Sequence, residues 1–202
     1  MDRWLKTFPI PEESPASHVR ELRVRIVGDD RVPERFFRYT RWFTNVEKMS
    51  LLGLEGVPPL RTPSLWKLPQ SITSLIINTD VVTLVQLRDI MAHLPSLDDL
   101  SLSGSPIPVD KSVLPGIGTT LRGRFGGKLV LRDNCVHEYV VDLLLGTPTG
   151  LHFTEVDICC RPERLLPTAR LVQSCGRTLA KLSYTITSYG RYHSLSVRLF
   201  AN

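Results

Sequence analysis

The run His93–Gly104 (HLPSLDDLSLSG) contains a unit that recurs along the chain. Leu97, Leu100 and Leu102 are spaced apolar-x-x-apolar-x-apolar, and the last two positions alternate as one face of a short strand does. The same shape occurs upstream at Val19/Leu22/Val24, Val46/Met49/Leu51 and Ile72/Leu75/Ile77. Downstream it occurs at Phe153/Val156/Ile158 and Leu179/Leu182/Tyr184, with a shortened form at Leu129/Leu131 that has Gly126 in the opening position. The central residues are 22, 49, 75, 100, 129, 156 and 182, so successive units lie 25 to 29 residues apart.

That step and the L-x-x-L-x-L opening match the period of leucine-rich repeats. Each unit supplies one strand, and parallel pairing of successive strands needs a crossover. The intervening segments supply several. Thr83–Leu94 carries Leu84, Leu87, Ile90, Met91 and Leu94 on one helical face and is followed by Pro95. Pro33–Phe43, Val136–Leu145 and Pro162–Cys175 read as helices in the same way. Leu60–Gln70 and Pro106–Gly118 hold several prolines and predict irregular or 3₁₀ connections. The Asn expected after each strand is mostly missing, with Asn78 and Asn134 only near its place.

The expected fold is therefore α/β, a right-handed leucine-rich-repeat solenoid of about seven repeats of about 26 residues. It has a parallel concave sheet and a mixed helical and irregular convex side. Residues 1–202 form one domain, with 1–17 as an N-terminal cap or partial repeat and 190–202 as an edge strand or cap. Within the latter, His193–Phe200 offers a strand with Leu195, Val197 and Leu199 inward, too close to Tyr184 for another full repeat.

Composition narrows the function classes. The chain has 202 residues, 42% hydrophobic and 22% charged, enough for a core without staples. Lys plus Arg is 25 against 20 for Asp plus Glu, a net charge of +5. Residues 71–110 hold one basic and five acidic side chains, whereas 111–202 hold twelve and six, and 20–48 hold eight and five. An acidic middle between basic ends would select a partner by complementarity. Cys135, Cys159, Cys160 and Cys175 form no Cys-x-x-Cys pair, so neither a disulfide scaffold nor a zinc site is expected. No apolar run approaches the ~20 residues that span a bilayer. The N-terminus lacks a signal-peptide core, so a cytoplasmic or nuclear protein without membrane contact is expected.

Catalytic signatures are missing. His137-Glu138 is not His-Glu-x-x-His, and Gly116–Gly123 lacks the Gly-Lys-Ser/Thr ending of a phosphate loop. The histidines at 18, 93, 137, 152 and 193 are scattered, and Gly-x-Ser-x-Gly does not occur. A non-enzymatic chain without cofactor or metal is expected. Arg35, Phe36, Phe37, Arg38, Tyr39, Arg41 and Trp42 interleave cations with rings as nucleic-acid binders do. Their helical spacing favours a core face, which ranks nucleic acid below protein as a partner.

Phe43–Leu51 (FTNVEKMSL), Leu68–Leu75 (LPQSITSL) and His93–Gly104 together resemble the F-box/leucine-rich-repeat proteins of mushroom-forming fungi. The resemblance runs from about Trp4 onward. It implies substrate recognition beside a ubiquitin ligase. The F-box, about forty residues of Leu-Pro-rich helix, is not found; Trp4, Leu5 and Phe8 read instead as the last turn of a repeat helix. The expectation is a fragment, a truncated product or a repeat-only relative, with any F-box adaptor reached through a missing segment. A stand-alone scaffold is the alternative. A monomer is expected.

Residues alternating with the apolar strand positions line the concave surface that repeat proteins use for binding. Among these the candidate protein-binding residues are Arg23, Arg25, Ser50, Leu52, Ile76, Asn78, Ser101, Ser103, Val130, Arg132, Asp157, Ser183 and Thr185. Seven strands about 4.8 Å apart give a strip roughly 29 Å long, suited to a protein segment.

Overall fold

The computed structural model describes residues 7, 10, 13–26, 42–53, 68–78, 82–104, 123–132, 135–188 and 191–198. Its strands are β1 (Glu21–Ile26), β2 (Lys48–Gly53), β3 (Ser74–Asn78), β4 (Asp99–Ser103), β5 (Lys128–Leu131), β6 (Glu155–Cys160), β7 (Lys181–Ser188) and β8 (Arg191–Arg198). They pair in chain order in one open sheet. The first seven are parallel, and β8 returns antiparallel to β7. Two residues separate β7 from β8, too few for the crossover that a parallel strand requires. The register sets Val197 beside Leu182 and Leu195 beside Tyr184; Leu199 lies outside the described residues.

The architecture is thus α/β. Leu22, Met49, Leu75, Leu100, Leu129, Val156 and Leu182 stand side by side across the parallel sheet, and Val24, Leu51, Ile77, Leu102, Leu131, Ile158 and Tyr184 form a second row. A one-residue slip would turn a strand's apolar set to the other face, so this alternation holds the register.

Helices cover the apolar face: α1 (Leu84–His93) between β3 and β4, α2 (Glu138–Leu145) between β5 and β6, and α3 (Leu165–Ser174) between β6 and β7. Thr83 caps α1 in a reciprocal box, its hydroxyl accepting from Gln86 N while the Gln86 side chain accepts from Thr83 N. Leu84, Leu87, Ile90 and Met91 of α1 and Val140, Val141, Leu143 and Leu144 of α2 are buried in one cluster with the row residues of β2–β6, and Leu22, Val24, Leu182 and Tyr184 pack against it half-buried. Helix α2 begins two residues later than the apolar spacing from Val136 indicates, because the His137 side chain accepts from Tyr139 N as its cap. A 3₁₀ turn, Pro162–Arg164, precedes α3. Another, Pro15–His18, leads into β1, where a cap or partial repeat was expected. The expected helix at Pro33–Phe43 lies outside the described residues apart from Trp42 and Phe43, as do Pro106–Gly118, Trp4, Leu5, Phe8 and most of Leu60–Gln70.

A backbone comb links the strand starts. Arg20, Glu47, Thr73, Gly127 and Thr154 each lie two residues before a central apolar residue. Each of their carbonyls accepts from two successive N–H groups of the next strand's start, at 2.8–3.2 Å. The β4–β5 junction departs from this. Asp98 O accepts only from Gly127 N, and Lys128 N donates to Asp99 Oδ1 at 2.7 Å. This is the junction with the 29-residue step.

The same junction corrects the assignment of Gly126 to the opening apolar position. Phe125, one residue earlier, is fully buried and packs on Phe153 with ring centroids 5.7 Å apart. Its φ of 46° lies in the left-handed region. That backbone costs about 1–2 kcal/mol. Burying a phenylalanine returns about 1.5–3 kcal/mol, and the tilted ring pair adds about 0.5–1.5 kcal/mol. Gly123 leaves room for the ring, since a Cβ there would lie 2.7 Å from Phe125 Cζ.

Candidate functional site

The sheet face turned away from the helices carries three rows of side chains. The first is Glu21, Lys48, Ser74, Asp99, Lys128, Glu155 and Lys181. The second is Arg23, Ser50, Ile76, Ser101, Val130, Asp157 and Ser183. Beyond them, Arg25 pairs in register with Leu52, Asn78 with Ser103, and Cys159 with Thr185; Arg132 follows β5 at the same level. All thirteen candidate residues therefore belong to one face.

Their exposure differs. Arg23 and Arg25 are exposed. Leu52 and Ile76, 39% and 41% exposed, are the exposed large aliphatic side chains on the described strands, and Leu165 and Leu166 of α3 are exposed on the helical side. Ser101, Ser103, Val130, Arg132, Asp157, Ser183 and Thr185 are half-buried. Ser50 is a correction: in register between Arg23 and Ile76, it is only 6% exposed and so offers a partner little surface. Asn78 donates from Nδ2 to Gly53 O at 3.5 Å, tying the end of β3 to the end of β2. Cys135 Sγ bonds Gly104 O at 3.0 Å and ties the segment after β5 to the end of β4.

Much of the charge on this face is internally paired. Arg23 meets Glu21 at 2.7 Å, Arg132 meets Asp157 at 2.6 Å and Lys181 meets Glu155 at 3.5 Å. Such exposed pairs add little stability, but they lower the charge presented to a partner. The Asp99 carboxylate is drawn down onto Lys128 N. Arg25, Lys48 and Lys128 remain exposed with no carboxylate within 4.0 Å among the described residues.

The buried cysteines occupy the opposite side. Cys135, Cys160 and Cys175 are buried and Cys159 is half-buried, all as free thiols. Burial raises the pKa of the Cys175 thiol. Cys160 Sγ lies 3.1 Å from the Tyr184 hydroxyl and 3.9 Å from Thr168 Oγ1. Burial, and then the hydrogen bond to Cys160, push the Tyr184 phenol up to about 12. Among the described residues no three His, Cys, Asp or Glu side chains are grouped to hold a metal ion, and no helix is long and apolar enough to cross a membrane.

Two features were not read from the sequence. Alternation placed Leu52 and Ile76 on this face, but the degree to which their neighbours leave them uncovered depends on strands about 25 residues away. The role of Asp99 could have been suspected from Gly126-Gly127, a glycine pair immediately before a strand. Comparison of the chain with family models, with curated proteins and with solved structures returned no match.

Proposed function

We propose that this chain is a non-enzymatic protein-recognition module of leucine-rich-repeat type, and that its open sheet face is the concave binding surface of a solenoid. The observation that carries this reading is the unbroken strip of register-aligned residues from β1 to β7, with Leu52 and Ile76 uncovered at its β2–β3 end. Extended surfaces of this kind are what repeat proteins use to hold partners. Leu52 and Ile76 give that strip an apolar element beside its polar and charged side chains. The resemblance to F-box/leucine-rich-repeat proteins extends the proposal to a cytoplasmic or nuclear role, as the substrate-binding region of a ubiquitin-ligase receptor.

The test is affinity capture from a lysate of the source organism with three baits: the unaltered chain, Leu52→Asp/Ile76→Asp, and Arg177→Glu beyond α3. A protein recovered with the first and third baits but lost from the second is the expected result. Co-recovery of an F-box adaptor and a cullin supports the ligase link, and its absence leaves a stand-alone recognition module. Identical recoveries from all three baits refute recognition through this face.

A further inference from the structure

We propose that the β1–β3 end of the open face binds an extended peptide segment of a partner protein that places one carboxylate about two residues from an aliphatic side chain. The inference rests on the reading of this face as a recognition surface and names the chemistry it selects.

Three observations carry it. Arg25 stands in register beside Leu52, and Ser50 beside Ile76, so the two aliphatic side chains are diagonal neighbours with Arg25 at their β1 flank. Leu52 and Ile76 keep 39% and 41% of their surface exposed, enough to cover one aliphatic side chain of a ligand. Of the two arginines on β1, Arg23 is held by Glu21 and only Arg25 has no carboxylate among the described residues. An unpaired guanidinium beside uncovered aliphatic surface is complementary to a carboxylate beside an aliphatic group.

The spacing follows from strand geometry. Strands are about 4.8 Å apart, so from β1 to a point between β2 and β3 is roughly 7 Å, or about two residues of extended chain at about 3.3 Å each. Single-stranded nucleic acid fits this end less well. It needs ring faces for stacking, and the three rows contain no Phe, Tyr or Trp. Arg23 and Arg132 already have carboxylate partners.

The experiment is selection of displayed random eight-residue peptides on the full chain. Fluorescence polarisation with the labelled consensus peptide follows, together with its Asp-to-Asn or Glu-to-Gln analogue. The expected consensus has an acidic residue two positions from Leu, Ile, Val or Phe. The amide analogue should weaken binding about two- to fivefold, and the charge reversal Arg25→Glu by more than that. Selection on Arg25→Glu should replace the acidic position by Lys or Arg. A consensus without the acidic residue, whose binding is nevertheless lost in Leu52→Ser/Ile76→Ser, overturns the acidic-partner inference and leaves the recognition face standing. A consensus indifferent to both variants, or no enrichment beside tight, salt-sensitive binding of a labelled oligothymidine, overturns the face assignment as well. The amide analogue needs no protein variant, so the outcome does not depend on how a substituted chain folds.

Discussion

Gly127→Ala should destabilise the protein much more while Asp99 is present than when it is absent. A Cβ at Gly127 would overlap the Asp99 carboxylate and lie 3.3 Å from Asp98 O. Gly127 is not in the left-handed region, so its backbone accepts alanine. Taken alone, the change restricts the unfolded chain and stabilises by about 0.4–1 kcal/mol. Against this, the carboxylate must leave Lys128 N, to which it is bonded at 2.7 Å. A hydrogen bond to a charged group contributes about 1.5–3 kcal/mol. Lys128 is exposed, so water replaces part of the bond and the lower figure applies. The net loss is about 1 kcal/mol, a fall in Tm of about 2–4 °C for a chain of this size. Asp99→Ala alone should cost about 1.5 kcal/mol. In that background only the 3.3 Å approach to Asp98 O opposes the gain from a stiffer unfolded chain, so Gly127→Ala should be close to neutral. Urea denaturation of the four proteins gives the cycle. A coupling of about 1 kcal/mol is expected, and additivity within about 0.5 kcal/mol would show that Asp99 does not replace the missing carbonyl at this junction.

Phe125→Ala should cost about 3–5 kcal/mol, because it empties a fully buried site against Phe153 and keeps a left-handed non-glycine backbone; Gly126→Ala should cost far less, and the reverse order in thermal melts would restore Gly126 as the opening position. The Tyr184 phenol is raised to about 12 in the folded chain against about 10 when unfolded. Its contribution is fully present below pH 10 and is lost as pH rises toward 12, because there the unfolded chain has already released the proton. Tyr184→Phe should remove that part of the alkaline loss, and superimposable stability profiles between pH 9 and 12 would refute the raised phenol.

The apolar spacing alone determines much of this protein. Leu22, Met49, Leu75, Leu100, Leu129, Val156 and Leu182 recur at nearly equal steps, and all seven align in the sheet. Period-two alternation is a local property, and a register slip would expose an entire apolar set, so position along the chain carries over to position across the sheet. Alternation likewise placed the thirteen candidate residues on one face. Tertiary structure decided what those positions do. Ser50 is hidden while Leu52 and Ile76 are uncovered, although alternation sets all three on the same face. Arg23 is spent on Glu21 while Arg25 is not, and Asp99 is turned to a backbone N–H that elsewhere bonds a carbonyl. Phe125 displaced Gly126 through a backbone angle that spacing does not encode. Each of these depends on contacts between residues far apart in the chain, and a period read from apolar positions contains the order of the strands but not the pairing of the side chains between them.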